Sequence, residues 1–485
     1  MSKQPKDIEE ISKVIVLLEN FGGTKREITL PRLQGNLGKG FIADTAPLKD
    51  TGVILVSKGG RAVTPHEKTE ISFVDGEACK LYLRGYDFTD LVDRDIIEIF
   101  GLLIDGDLPD EDRYNVLEDR FFFHRHMPPE VRKALKSDFC LGKNPLFVMH
   151  HAMSLVTLAM HPSSPPAAGH SALREELNAI YGMFPALTAA AFHLSKGRKN
   201  FVDPPSSGRY VERLEYMLFG DRSGFAPDPL RQFCLNLTLV TMCEHGSNAS
   251  MSSALATHEA GTVPQLSIAN FLATLSGKRH GGATEDVMRM FEKILDDRGR
   301  SHDEAIADIA ARFENKQITL PGYGHGLYKG NDPRMITIFN ILARLKEHGI
   351  SNERFDIAIK LKEAVEKTAR FQELPYGFNV DFVSGVLEFI AGLPANMAGA
   401  MFALSRIAGV VARIREATKT VQLEGGRFDE VPAPLIRFPE YSGITHTRSI
   451  ENAPPPAVDL GVDALLRGIR KNPVMAAGRT LAPAP

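Results

Sequence analysis

Apolar and polar positions follow two rhythms along the chain. Over residues 1–85 they favour extended segments separated by turn residues. Ile28, Leu30 and Leu33 lead into a glycine-punctuated stretch from Gly35 to Gly40, and Val53-Ile54-Leu55-Val56 reads as a short buried strand. Ile71 to Val74 and Leu81 to Leu83 flank Asp75-Gly76, a hairpin turn signal. Beyond Tyr86 the apolar residues recur every three to four positions, the period of a helix with one buried face. Helices are predicted over Leu91 to Leu103, stopping near Asp105-Gly106-Asp107, over Leu173 to Leu194, over Leu230 to Met242, and over Val287 to Leu295. In the last of these Val287, Met290, Phe291, Ile294 and Leu295 share a face, Thr284 is the expected N-cap, and Glu285 and Asp286 suit the positive helix end. Asp332-Pro333 is a stronger start signal, a capping acid followed by proline at the first helical position. That helix is expected to run through Ile336, Phe339 and Leu342 to Gly349, and two more to cover Phe355 to Phe371 and Ala398 to Thr418. The expected fold class is mainly α, with a small β-rich N-terminal segment.

Composition narrows the function classes. In 485 residues, 57 Lys+Arg stand against 60 Asp+Glu, a net charge of −3, with 43% apolar residues. Disorder of the bulk is excluded, because it requires lower hydrophobicity and a larger charge imbalance. A nucleic-acid partner is not expected, because such proteins carry a basic excess. The four cysteines, Cys79, Cys140, Cys234 and Cys243, form no CxxC pair and no disulfide scaffold, which suggests a reducing compartment. The first residues, MSKQPKDIEEISK, mix acids and bases and lack the apolar centre of a secretory signal. No uncharged apolar run approaches the roughly 20 residues that span a bilayer. A cytoplasmic protein without a membrane partner is the expectation. The proline-rich tail, Ala453-Pro454-Pro455-Pro456 and the final LAPAP, is expected to be ordered only where it packs.

The common cofactor motifs are missing. There is no GxxxxGK[ST] loop. Gly322-Tyr323-Gly324-His325-Gly326 has Leu327 in place of a third glycine and lacks parallel-strand context, so it is not a dinucleotide fingerprint. His258-Glu259 is followed by Thr262 rather than the second histidine of HExxH, and the pairs His150-His151 and His124/His126 are too close to chelate one metal from one helix face. No metal is expected. Three histidines instead lie beside glycine: His245 before Gly246-Ser247-Asn248, His280 before Gly281-Gly282, and His325 between Gly324 and Gly326. Glycine lets backbone approach a ligand closely, and a loop histidine just before a helix can face an anion or a carbonyl. For each alone the surface or capping reading prevails; three in one chain are harder to set aside. Asp381, isolated between apolar runs, is either a helix cap or a carboxylate held for chemistry.

Taken together, these segments resemble the citrate synthase family. The segment His245 to Ser250 is similar to the family's HExNAS, Arg279 to Ala283 to its HGGAN loop, and Leu320 to His325 to the loop of its second catalytic histidine. Asp332-Pro333-Arg334 matches DPR, Asn379 to Phe382 with Ser384-Gly385 matches NVDFxSG, and Phe402 with Arg406 and Gly409 matches Phe-x-x-x-Arg-x-x-Gly. All six motifs occur in the family's order. The β-rich N-terminal segments, Ile28 to Gly35 and Ile71 to Tyr86, are similar to the long bacterial-type subclass.

The resemblance implies condensation of an acyl-CoA, first of all acetyl-CoA, with oxaloacetate, and then thioester hydrolysis to citrate and CoA. Propionyl-CoA or a longer acyl-CoA, giving 2-methylcitrate or a longer alkylcitrate, is the alternative. A non-catalytic CoA-binding paralogue is a second alternative, against which all the catalytic positions are retained. By the resemblance Asp381 is the base, His280 the donor to the thioester oxygen, and His325 the acid at the oxaloacetate ketone. Arg334, Arg406 and His245 bind the oxaloacetate carboxylates, with Arg437 entering from a partner subunit, so that a homodimer or larger homo-oligomer is implied. Leu320, Gly322, Tyr323, Gly324 and Lys329 face CoA, which is a substrate, and no cofactor is implied. The sequence departs from the family pattern at Gly326, Thr284 and Val383, and the small Val383 and Gly326 suggest room for acyl groups longer than acetyl. The implied architecture is a two-domain helical fold: residues 1–85 a β-rich segment, 86–284 the large helical domain, 285–390 a smaller helical domain, 391–450 the return to the large one, and 451–485 a tail.

Overall fold

The computed structural model describes residues 14–19, 25–30, 32–33, 42–43, 68–161, 170–220, 224–277, 281–324, 328, 330–374, 377–422, 428–432, 440–441, 450, 453–458 and 461–471. The Val53 to Val56 segment and the Gly35 to Gly40 stretch lie outside the described residues. The chain divides into two compact units, Met1–Glu70 with Ile436–His446, and Ile71–Leu435 with Thr447–Pro485.

In the first unit the described residues form short strands. Val14–Glu19 pairs antiparallel with Lys25–Leu30, Arg32–Leu33 with Ile42–Ala43, and Lys68–Thr69 pairs parallel with Glu440–Tyr441. Ile28 and Leu30 point to the same side of their strand and are buried, as their alternation predicts.

The second unit is mostly helical, as expected. It opens with a three-stranded antiparallel sheet, Ser72–Asp75, Lys80–Leu83 and Tyr86–Asp87. The hairpin predicted at Asp75-Gly76 forms, but Asp75 ends its strand and pairs with Lys80, leaving a four-residue loop. The Asp75 carboxylate accepts from the backbone N–H of Glu77 and Ala78, so it caps the loop instead of forming its centre. The helix predicted over Leu91 to Leu103 begins later, at Ile96, because Asp95 and Glu98 form a capping box there. The stretch from Phe355 to Phe371 is two helices, Glu353–Glu366 and Ala369–Glu373. Thr368 separates them by capping the second through Phe371 N–H. The helix Pro333–Glu347 matches its start signal, with Asp332 accepting from Arg334 N–H and Gly349 at φ +73° after its end.

Among the described residues two helices are long and apolar enough to cross a membrane, within Leu173–Ser195 and Ala395–Glu416, and both are buried inside the fold. In the first, Pro185 has no N–H for the carbonyl of Tyr181 four residues earlier. The hydroxyl of Tyr210 donates to that carbonyl at 3.3 Å, which satisfies it. The second, Ala398–Glu416, is the central core helix, buried from Ala400 to Ile414. It nevertheless carries two buried arginines, Arg406 and Arg413. A buried guanidinium is costly unless something answers its charge.

Candidate active site

Three helices bring the second residue of each to one place. They are Ala283–Leu295, Pro333–Glu347 and Val380–Ile390, and their second residues are Thr284, Arg334 and Asp381. A helix start exposes unpaired N–H groups and a positive dipole end, so three of them favour anions nearby. The first and third pack closely because of Gly385, where a Cβ would lie 2.6 Å from Val287 Cγ1.

Asp381 is not the cap of its helix. Asn379 holds that position and accepts from Asp381 N–H at 2.9 Å. The carboxylate is therefore free to turn away, and its Oδ1 accepts from Thr284 Oγ1 at 2.9 Å. Thr284 was expected to cap the helix Ala283–Leu295, but Gly282 is the cap, without a side-chain hydrogen bond. The threonine hydroxyl is used across the helix pair instead. Burial pushes the Asp381 carboxyl above its ordinary range, opposed by the Thr284 hydrogen bond and by the charge of Arg334, while Asp332 pushes it further up and Arg406 pulls it down.

Arg334 is 1% exposed. Asp332 grips it in a fork, with Nε to Oδ1 at 2.9 Å and Nη2 to Oδ2 at 2.6 Å. Its Nη1 is buried and has no hydrogen-bond partner among the described residues. Arg406 is 3% exposed. Its Nε donates to Met242 O at 2.6 Å and its guanidinium lies over the Phe402 ring, 4.8 Å from the centroid. Among the described residues no carboxylate pairs with it, and burial lowers its pKa, opposed by the charge of Glu244 and reinforced by the repulsion of Arg334. These two arginines and Asp381 are close enough for each to feel the others' charge.

His245 lies just past the helix Pro229–Met242, and its Nε2 is 2.9 Å from the hydroxyl of Tyr328. The turn after it relies on Gly246 at φ +71° and on Glu244, whose Oε1 accepts from Gly246 N–H at 2.8 Å. The same oxygen accepts from Ser72 Oγ at 2.8 Å and Arg413 Nη2 at 3.0 Å. Glu244 and Arg413 thus form a fully buried ion pair that fixes the residue before His245. Gly409, one turn before Arg413, leaves room for it, since a Cβ there would lie 2.5 Å from Cys243 O and still closer to Glu244 Oε2.

The loop Leu320 to Gly324 is sewn to the segment that starts the Asp381 helix. Gly324 N–H donates to Gly377 O at 2.9 Å, Asn379 N–H to Gly322 O at 2.9 Å, and Asn379 Nδ2 to Gly324 O at 2.7 Å. Gly322 sits at φ +70°, where a Cβ would lie 2.7 Å from the backbone nitrogen of Phe382. The ring of Tyr323 packs against Phe313, Phe371 and Phe378, and Leu320 is buried.

Of the residues singled out in the sequence, Asp381, Arg334, Arg406 and His245 are therefore placed around one region of the second unit. His280, His325, Gly326, Lys329 and Arg437 lie outside the described residues. Val383 is fully buried. The sequence reading missed Glu244 and Tyr328. Glu244 is adjacent to His245, but its partner Arg413 is 169 residues away, and nothing local joins them.

The model of the citrate synthase family's C-terminal domain matches residues 60–426. Among solved structures, the citrate synthase of Thermotoga maritima is 26% identical, with a TM-score of 0.57, covering 75% of this chain and 92% of that one. The enzyme of Pyrobaculum aerophilum is 25% identical, with a TM-score of 0.61, covering 82% and 97%. The citrate synthase of Thermoplasma acidophilum, solved as a ternary complex with carboxymethyl coenzyme A and oxaloacetate, shares the fold at 23% identity and a TM-score of 0.63, covering 77% and 94%.

Proposed function

The chain belongs to the citrate synthase family, and we propose that it condenses acetyl-CoA with oxaloacetate and hydrolyses the product to citrate and CoA. The observation that carries this reading is the pair of buried arginines beside Asp381. Among the described residues Arg406 has no carboxylate partner and the buried Arg334 Nη1 has no hydrogen-bond partner. The charge of Arg334 is met by Asp332, so its Nη1 offers a further hydrogen bond, while Arg406, without an ion pair, calls for an anion, and a dicarboxylate can reach both.

The chemistry follows from the residue types. Asp381 takes a proton from the carbon next to the thioester carbonyl, which is easier for a carboxylate whose basicity burial has raised. His280, by the resemblance, donates to the thioester oxygen as charge gathers there. The resulting carbon nucleophile attacks the oxaloacetate ketone, and the new alkoxide takes its proton from His325. Water then cleaves the thioester, releasing CoA as the thiol. Tyr328 orients His245 toward a substrate carboxylate. Lys329 and the Leu320 to Gly324 loop face CoA in this reading, and Arg437 of a second copy supplies a further carboxylate contact.

Free-thiol release from acetyl-CoA plus oxaloacetate tests the reading. Asp381→Asn is expected to abolish release with the fold intact, and full activity in that variant would overturn the base assignment. The acyl group is read from kcat/KM for acetyl-, propionyl- and hexanoyl-CoA. A higher value for propionyl-CoA would make the enzyme a 2-methylcitrate synthase. No release with any acyl-CoA from folded protein would favour a non-catalytic CoA-binding paralogue.

A further inference from the structure

We propose that Thr284 is a positioning residue that holds the Asp381 carboxylate by Oδ1 and leaves Oδ2 to receive the substrate proton. The inference rests on Asp381 being the base. A carboxylate on a short side chain has two rotations that place different oxygens forward. The Thr284 hydroxyl, 2.9 Å from Oδ1, selects between them. Among the described residues Oδ2 accepts no hydrogen bond, so it is the oxygen available for the reaction.

The geometry around this bond is built rather than incidental. Thr284 is itself buried, and its helix can approach the Asp381 helix only because Gly385 faces Val287. Asn379 fixes the other end of the arrangement through Asp381 N–H. Thr284 is also four residues along the chain from His280, so one hydrogen bond ties the base to the segment that carries the thioester donor. A threonine donates a single proton over a short, stiff reach, so the carboxylate has one partner in one place.

The hydroxyl also bears on basicity, because a donor to the charged form favours that form. Among the described residues the charges facing Asp381 are Arg334 and Asp332 from one neighbouring helix and Arg406 from the core helix, with Glu388 on its own helix. On the Thr284 helix, Glu285 pairs with Arg289 and Asp286 is exposed. Arg231 and Arg354 approach the far end of the Asp381 helix, at Ala391 and Phe389. No other side-chain hydroxyl donates to Asp381 among the described residues.

The test compares wild type, Thr284→Val and Thr284→Ser. Valine keeps the volume and removes the donor, and serine restores it. The acid limb of kcat/KM against pH is expected to move up by about one unit in Thr284→Val and to return in Thr284→Ser, with kcat about tenfold lower in valine. The Asp381 titration is also followed without turnover, as the infrared carboxylate band that Asp381→Asn removes. Its midpoint is expected to rise in Thr284→Val. If wild type releases no thiol, the reading of the function fails while this midpoint still judges the hydrogen bond. An unchanged midpoint or an unchanged pH profile in Thr284→Val overturns the proposal, as does failure of serine to restore both. Should the valine variant not fold, Thr284→Ala takes its place under the same criteria.

Discussion

Arg406 and Arg413 stand seven residues apart on one buried helix, and of the two only Arg413 forms an ion pair among the described residues, with Glu244. Two turns of helix put them on nearly the same side, so their difference lies in their partners. Arg413 completes a structural ion pair. Arg406 is held by a backbone carbonyl and a phenyl face, and no carboxylate pairs with it among the described residues.

Their substitutions are therefore expected to part company. Arg406→Leu should raise the KM for oxaloacetate by roughly tenfold to a hundredfold, the worth of a hydrogen bond to a charged group. Its urea midpoint should stay level or rise, since a buried charge without a carboxylate is removed. Arg413→Leu leaves the Glu244 charge buried without its cation, which costs about 3–5 kcal/mol. Urea denaturation and oxaloacetate kinetics on both variants decide the matter; equal losses of stability would contradict the assignment.

Gly409→Ala is expected to destabilise the fold by about 1–3 kcal/mol, the range for overpacking a filled core. The added methyl would meet Cys243 O and the Glu244 carboxylate, both of which are pinned. The strain falls on the residues before His245, so oxaloacetate binding should weaken as well. A variant with wild-type unfolding free energy would show that the segment can move aside.

Glu388 sets a pH dependence of stability. It is fully buried, its carboxyl bonded among the described residues only to Ser384 Oγ at 2.9 Å with Oε2 unpartnered, and burial pushes its pKa up to about 8. In the unfolded chain it ionises near 4.5. Between those values the native state keeps a proton that the unfolded state has lost, so stability falls as pH rises across the window. Asp95, pushed up to about 7 by burial, acts in the same sense from its ordinary 3.8. Glu388→Gln is expected to match wild type near pH 5 and to exceed it at pH 8.5 in urea midpoint. A gap that does not widen with pH would refute the assignment.

Tyr328→Phe keeps the ring against His245 and removes the hydroxyl at its Nε2. The imidazole then loses the partner that fixes its tautomer and tilt. The KM for oxaloacetate should rise about two- to tenfold, in line with one neutral hydrogen bond, while kcat changes less. An unaltered KM would show that His245 is oriented by other contacts.

Much of this protein was legible in one dimension. The 3.6-residue period placed the long helices, because a core helix must bury a stripe wherever it packs. The Asp332-Pro333 cap was legible because capping is local chemistry. Asp381, Arg334, Arg406 and His245 could be named from residue type and motif order. Boundaries failed where a nearby group competed: Asp95 and Glu98 delayed one helix start, and Thr368 split another helix.

What only tertiary structure decided is which partner each polar side chain takes. By local rules Thr284 is a helix cap; close packing at Gly385 turns its hydroxyl to Asp381, 97 residues away. Arg406 and Arg413 are alike as sequence, two basic residues in an apolar helix, and differ in that Glu244 closes an ion pair with Arg413. Burial is likewise a property of the fold, and it makes Glu388 a carboxyl that ionises near pH 8. Period and capping depend on neighbours within a few residues, so the chain carries them in its own order. Pairing and desolvation depend on residues that meet only after the chain has folded.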